Sequence, residues 1–236
     1  MKCYKIADLT VEMDSFGKTD IQSEPYMFDC FEQADIVISS EWKRYKERHP
    51  LLSDDTCEYY CTAQSFYRQL VNFDGLVLHS SAVMMDGKTF LFTAPCGTGK
   101  STHTAFWLKQ FGDRASILND DKPALRRING IWYAYGTPWS GKNDISINTR
   151  APIAGICVLN RGEENIIERY YGPLAVCDIL NQTTRSKSPV FMLKILTLID
   201  KLLSEVPIWR MECNTDPEAA LVSYRAMSGG KENNET

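Results

Sequence analysis

The segment Phe90-Leu-Phe-Thr-Ala-Pro-Cys-Gly-Thr-Gly-Lys-Ser101 constrains this chain more than any other. An apolar run with strand character ends at Ala94. A glycine loop follows, and helix-compatible sequence continues from Lys100 through Gln110. That order belongs to a phosphate-binding loop in an α/β fold. Gly97 and Gly99 let the backbone curl so that several N–H groups point at one anion. Lys100 can reach the outer phosphates of a polyphosphate, and the Ser101 hydroxyl can ligate Mg²⁺. The helix that follows turns its positive dipole end toward the same anion. The expected nucleotide-binding stretch is therefore Pro95, Cys96, Gly97, Thr98, Gly99, Lys100, Ser101 and Thr102. Ala94 stands where the common pattern has its first glycine, at the point where strand becomes loop.

A chain of 236 residues, 44% of them hydrophobic, can bury one large core with room for a small lobe. The expected division is an N-terminal β-rich lobe with a helix over 1–74, a core over 75–228 and a disordered tail over 229–236. A net charge of −4 argues against a broad nucleic-acid footprint and gives no reason for an anionic membrane partner. No apolar run approaches the ~18 residues of a spanning helix, and the N-terminus lacks the apolar stretch of a signal peptide. The expected location is the cytoplasm. Eight cysteines are scattered without paired Cys-x-x-Cys spacing, so free thiols are expected rather than a metal knuckle. Cys57 and Cys61 share one helix face, and Cys96 lies in the glycine loop, where a helix N-terminus can lower a thiol pKa.

Along the chain, 5–13 alternates like a strand, 35–39 reads as a second, and a polar stretch lies between them. A short charged helix is expected near 40–49. A longer one is expected over 54–72, capped by Asp54 or Asp55, with Tyr59, Ala63, Phe66 and Leu70 at helical spacing. Residues 75–85 are β-rich, Asp86-Gly87 reads as a hairpin turn, and 88–93 leads into the loop. Gly112 ends the loop helix. A strand over 115–121 carries two terminal carboxylates, and Asn129-Gly130 marks a second hairpin. Residues 153–159 read as a buried strand, 174–184 and 189–205 as helices, 207–213 as a strand and 216–227 as a last helix.

Three further elements can carry chemistry. Asp120 and Asp121 end a strand about twenty residues after Lys100, a strand expected to run beside the loop strand. Adjacent carboxylates on an extended segment point opposite ways, so they divide two roles: a metal ligand, and a group that orients or deprotonates a nucleophile. His79 lies on the strand that feeds the hairpin and can polarise a base or take a proton. Lys142, on the 136–143 loop, can offset charge on a transferring phosphoryl group. His103 is expected to pack at the surface of the loop helix. Trp139 can wall off water or pack on the loop, and Arg126, Arg127, Arg150 and Arg161 are further candidates for charge stabilisation that spacing does not separate.

With these elements in order, the chain resembles the HPr kinase/phosphorylase catalytic domain and ATP-dependent phosphoenolpyruvate carboxykinase. The likeness is carried by Leu78-His79-Ser80, Ala94 to Ser101, Leu118-Asn-Asp-Asp121 and Gly136 to Lys142. It implies an α/β P-loop kinase fold with a mixed β-sheet and flanking helices. The glycine- and arginine-rich signature that HPr kinase/phosphorylases carry after the Asp-Asp strand is missing, as is their usual N-terminal domain. The carboxykinase arginine set for oxaloacetate is missing too. The resemblance therefore implies an ATP- and Mg²⁺-dependent kinase acting on a hydroxyl, with a serine of a peptide or protein as acceptor. A small-molecule acceptor is the alternative, and an ATP-binding regulatory switch with weak hydrolysis is the reading from another class. The implied roles are Asp120, helped by His79, as base, Lys100 and Lys142 as charge-neutralising catalytic residues, and Ser101 with Asp121 at the metal. The division between the two aspartates is left to geometry, and the resemblance allows a homo-oligomer.

Overall fold

The structure, a computed structural model, describes residues 1–29 and 33–229. Of the tail expected over 229–236, only Gly229 falls within the described residues.

The N-terminal segment forms a small three-stranded sheet and three helices. Strands β1 (Lys2–Ile6) and β2 (Leu9–Met13) pair antiparallel. The one strand expected over 5–13 is thus a hairpin, turned at Ala7 and Asp8, both at positive φ. Ile6 and Leu9 are both buried, which a single straight strand with alternating faces does not allow. Helix α1 (Gly17–Ser23) occupies the stretch read only as polar. Its buried positions are Thr19 and Ser23, so it carries no apolar periodicity. Strand β3 (Ile36–Ile38) adds parallel to β2, and α2 (Trp42–Arg48) follows. Helix α3 (Asp54–Leu70) is capped by Ser53, whose hydroxyl accepts from the Thr56 N–H at 3.2 Å. Asp54 and Asp55, the expected caps, lie in its first turn instead, where negative charge suits the helix dipole. Tyr59, Ala63, Phe66 and Leu70 are buried on one face, as their spacing predicts.

The remaining strands form one mixed sheet. They are β4 (Gly75–Val77), β5 (Ser80–Met85), β6 (Lys88–Thr93), β7 (Ala115–Asn119), β8 (Ala124–Ile128), β9 (Ile131–Tyr135), β10 (Arg150–Arg161), β11 (Ile166–Arg169) and β12 (Ile208–Cys213). The order is β4-β8-β9-β10-β6-β5-β7, with β12 also paired to β10 and β11 paired to β12. Asp86-Gly87 and Asn129-Gly130 turn the hairpins β5–β6 and β8–β9, all four residues at positive φ. Strand β7 does not lie beside β6, contrary to expectation. The hairpin partner β5 fills one side of β6 and β10 fills the other. Because β5 is antiparallel to both neighbours, β6 and β7 still run the same way and end at the same sheet edge. Strand β11 carries too short and too exposed an apolar pair for its sequence to announce it.

Helices cover both faces. On one, α5 (Pro173–Asn181) and α6 (Pro189–Glu205) bury Ile179, Ile195, Leu198 and Leu202 against Leu91, Leu118 and Ile156. On the other, α4 (Lys100–Phe111) and α7 (Glu218–Met227) pack Trp107, Ala219 and Met227 on Phe90, Phe92 and Leu159. His103, expected at the surface, is buried in this second layer. Its ring lies 4.5 Å from that of Phe92, and Nε2 is 3.0 Å from the Ser223 hydroxyl. Burial pushes its pKa down to about 4. The fold is thus a curled mixed sheet with flanking helices. Among the described residues no helix is long and apolar enough to cross a membrane.

Candidate functional site

The ends of β6 and β7 open into a cavity of about 850 Å³. His79, Lys100, Ser101, Asp120, Asp121 and Lys142 all line it. Of the expected nucleotide stretch, Cys96, Gly97, Gly99 and Thr102 line it as well, whereas Pro95 and Thr98 do not.

The loop after β6 turns on glycine. Gly97 and Gly99 have φ of +80° and +122°, and Gly99 is the N-cap of α4. An L side chain at Gly99 would be strained by the backbone alone, since nothing lies within 4 Å of an added Cβ. The first intrahelical bond runs from the His103 N–H to the Gly99 carbonyl at 2.9 Å. The N–H groups of the first turn therefore lack helical acceptors and point outward, an arrangement that favours an anion. Lys100 is buried, and its Nζ donates to the Ala94 carbonyl at 2.9 Å. Desolvation lowers its pKa, opposed by the charges of Asp121 and Asp120. Arg161, at the end of β10, braces the loop from outside by donating to the Gly97 carbonyl at 2.6 Å.

The two aspartates follow β7 in a turn built by Asn119. Its fully buried side-chain oxygen accepts from the N–H groups of Asp121 (3.0 Å) and Lys122 (2.7 Å). The strand expected over 115–121 ends at Asn119, so the two carboxylates sit in a turn rather than on extended backbone, and they take separate partners. Asp120, nearly buried, accepts from the Ser81 hydroxyl at 2.6 Å and from the Asn143 amide at 2.5 Å. Asp121 faces His79 Nε2 at 3.2 Å and pairs on its other oxygen with Lys122. Burial would raise the Asp121 carboxyl, but the hydrogen bond from His79 and the charge of Lys122 outweigh it and hold it at about 2. His79 therefore touches Asp121, not the Asp120 it was expected to help. Its Nδ1 lies 2.9 Å from the Gln182 side-chain oxygen. His79 immediately precedes Ser80, whose N–H donates to the Asp121 carbonyl at 3.1 Å, so the imidazole lies beside Asp121.

The 136–144 loop closes the third side. Trp139 is fully buried and stacks on Phe66 of α3, with 5.0 Å between ring centres, so it packs under the loop rather than walling the cavity. Lys142 is exposed on the cavity wall. Gly141, at φ +79°, passes so close to Asp121 that an added Cβ would stand 2.7 Å from the aspartate Cβ. Its N–H donates to the Tyr59 hydroxyl at 2.9 Å. Helix α1 ties the loop down: Lys18 donates to the Gly141 carbonyl and pairs with Asp144, both at 2.8 Å. The other arginines are structural. Arg126 donates to the Phe73 and Ala7 carbonyls, Arg127 pairs with Glu205, and Arg150 pairs with Asp8.

Sequence reasoning missed Lys18, Tyr59, Ser81, Lys122 and Asn143. Lys122 and Asn143 adjoin predicted residues and were within reach. Lys18 lies on a helix whose polar inward face gives no signal.

No family model matches the chain, and no curated protein matches it. Among solved structures it is similar to the Hpr(Ser) kinase/phosphatase from Coxiella burnetii, with a TM-score of 0.38 and 14% sequence identity. That match covers 65% of this chain and 99% of the other. A TM-score that low assigns no roles to side chains.

Proposed function

We propose that this chain is an ATP- and Mg²⁺-dependent phosphotransferase that moves the γ-phosphoryl group to a hydroxyl, with a serine of a peptide or protein as the acceptor class. The observation that carries the reading is one cavity lined by a glycine loop at a helix N-terminus, a buried lysine and two adjacent, divergent carboxylates. Phosphoryl transfer needs those parts: donors for the phosphates, a cation at the outer ones, oxygen ligands for a metal, and a carboxylate at the nucleophile.

The donor set fits Mg²⁺, which takes hydroxyl and carboxylate oxygens alongside phosphate. Ser101 offers an exposed hydroxyl, and Asp121 stays ionised because its pKa is held at about 2. These two would hold the ion, and when bound it neutralises charge on the phosphate oxygens. Asp120, oriented by Ser81 and Asn143, receives the proton of the acceptor hydroxyl. His79 acts through Asp121 as a positioning residue, fixing the carboxylate from its far side. Lys100 and Lys142 offset charge on the transferring group.

The test is phosphoryl transfer from γ-labelled ATP into cell extract and into free hydroxy metabolites, with mass spectrometry of the product. Wild-type protein yields a phosphorylated hydroxyl, and Lys100→Ala and Asp120→Asn both abolish it. Full transfer by either variant, or no ATP binding by the wild type, overturns the reading.

A further inference from the structure

A second cavity of about 570 Å³ lies against the first. Tyr60, His79 and Lys122 line both, so the two meet where the candidate chemistry sits. The far wall of the second is the segment after α5, residues 181–185. That segment is fixed in place. The His79 N–H donates to the Gln182 carbonyl at 2.7 Å, and the Thr183 hydroxyl donates to the Val77 carbonyl at 2.6 Å. Tyr45 and Tyr67 add aromatic walls.

The charges are one-sided. Lys122 and Arg185 line this second cavity and no carboxylate does. Lys122 is already paired with Asp121. Arg185 forms no ion pair among the described residues: its side chain donates one hydrogen bond, to the Asn181 side-chain oxygen at 3.3 Å. Arg114, Arg127 and Arg150 each have an aspartate or glutamate, and Arg126 and Arg161 donate to backbone carbonyls, whereas Arg185 has one side-chain amide oxygen. A guanidinium on a cavity wall with no acid of its own matches an incoming carboxylate.

We infer that the second cavity is the acceptor pocket, and that it takes a hydroxyl compound bearing a carboxylate held by Arg185; this rests on the phosphotransferase reading above. The acceptor hydroxyl enters the first cavity past His79 and Lys122. Its oxygen forms a bond to the γ-phosphorus, the bond from that phosphorus to the β,γ-bridging oxygen breaks, ADP leaves with the electron pair, and the hydroxyl proton passes to Asp120. The carboxylate has two sources, an acidic peptide or a free hydroxy acid, and the shared chemistry is the same.

The test uses the full chain with Mg²⁺ and ATP and three matched pairs of probes. One is a seryl peptide flanked by glutamates against the same peptide flanked by glutamines. The others are L-serine against serinol and glycerate against glycerol. In at least one pair the acidic member is used with about tenfold higher kcat/KM, the size of one charge-assisted hydrogen bond. Arg185→Ala brings that pair to within about twofold. Arg185 is exposed, so its loss leaves the core untouched. A preference confined to the peptide pair assigns the carboxylate to a polypeptide, and one confined to the free compounds assigns it to a hydroxy acid. Equal use of both members, a preference that survives Arg185→Ala, or transfer to no probe by a protein that binds ATP overturns the inference. Absence of ATP binding, read by calorimetry on the same sample, removes the phosphotransferase reading instead.

Discussion

Glu58 and His103 are both buried, and they pull the pH dependence of stability in opposite directions. Burial raises the Glu58 carboxyl from 4.5 to about 7, with a hydrogen bond from Thr19 opposing it. Its contribution is full below 4.5 and is lost as pH rises through about 7, because the unfolded chain ionises first. His103 falls from 6.5 to about 4, so its contribution is full above 6.5 and is lost as pH drops through about 4. The two offset each other where their windows overlap. Glu58→Gln removes one side, so its melting temperature should fall more steeply than that of the wild type on acidification from about pH 7 to about pH 5. Parallel curves would mean that Glu58 does not titrate in that window. Cys96 offers a second residue-scale test. It is exposed on the cavity wall, and Cys177 is exposed away from it. ATP should slow alkylation of Cys96 and leave Cys177 unchanged, as followed by peptide mass spectrometry. At this scale the sequence was most legible where backbone conformation dictates residue type. Gly97 and Gly99 could be read directly, whereas the strand expected to run to Asp121 stops at Asn119 and leaves both aspartates in a turn. Which aspartate meets His79 could not be read either, since it depends on side-chain direction in that turn.

Among the elements, the 136–144 loop and the glycine loop face each other across the cavity, each braced by a cation from elsewhere. Gly141→Ala should displace Asp121, because the added Cβ meets the aspartate side chain. The expected outcome is loss of Mg²⁺-dependent ATP binding with a folded circular dichroism spectrum; unchanged binding would show that Asp121 tolerates the shift. Arg161→Ala should raise the Kd for ATP several-fold while leaving the acceptor KM unchanged, because the Arg161 side chain donates to the Gly97 and Thr98 carbonyls. Helices with an apolar face, such as α3 and α6, were legible from their period. Helix α1 was not, because Thr19 and Ser23 face inward. The place of β7 was not legible either: hairpin turns fix which neighbours pair, but no local signal says which strand fills the other side of β5.

Across the whole molecule, the cavity is assembled from segments far apart in the chain, from Lys18 to Asn143. One hydrophobic cluster joins Tyr4, Val11 and Phe66 of the N-terminal segment to Ala124, Tyr135 and Trp139. A chain beginning at residue 75 would expose those partners. It should give little soluble protein and no cooperative melt, as checked by expression and calorimetry; a sharp transition would show that 75–229 folds alone. Apolar runs and turns marked most of the individual strands and helices, whereas the mixed sheet with flanking helices was implied by the resemblance. The shared cluster was not legible, because cross-boundary packing leaves no local pattern.

Strand β10 changes partners along its length. Residues 150–152 pair antiparallel with β9, and from Ile156 to Val158 the strand lies between β6 and β12, parallel to both. Backbone bonded on two sides, under helices on both faces, reaches solvent only when the sheet as a whole comes apart. In deuterated water the amides of Ile156, Cys157 and Val158 should be the last to exchange. Their rate would then measure the opening of the whole molecule, against which any local loosening near the cavity can be timed.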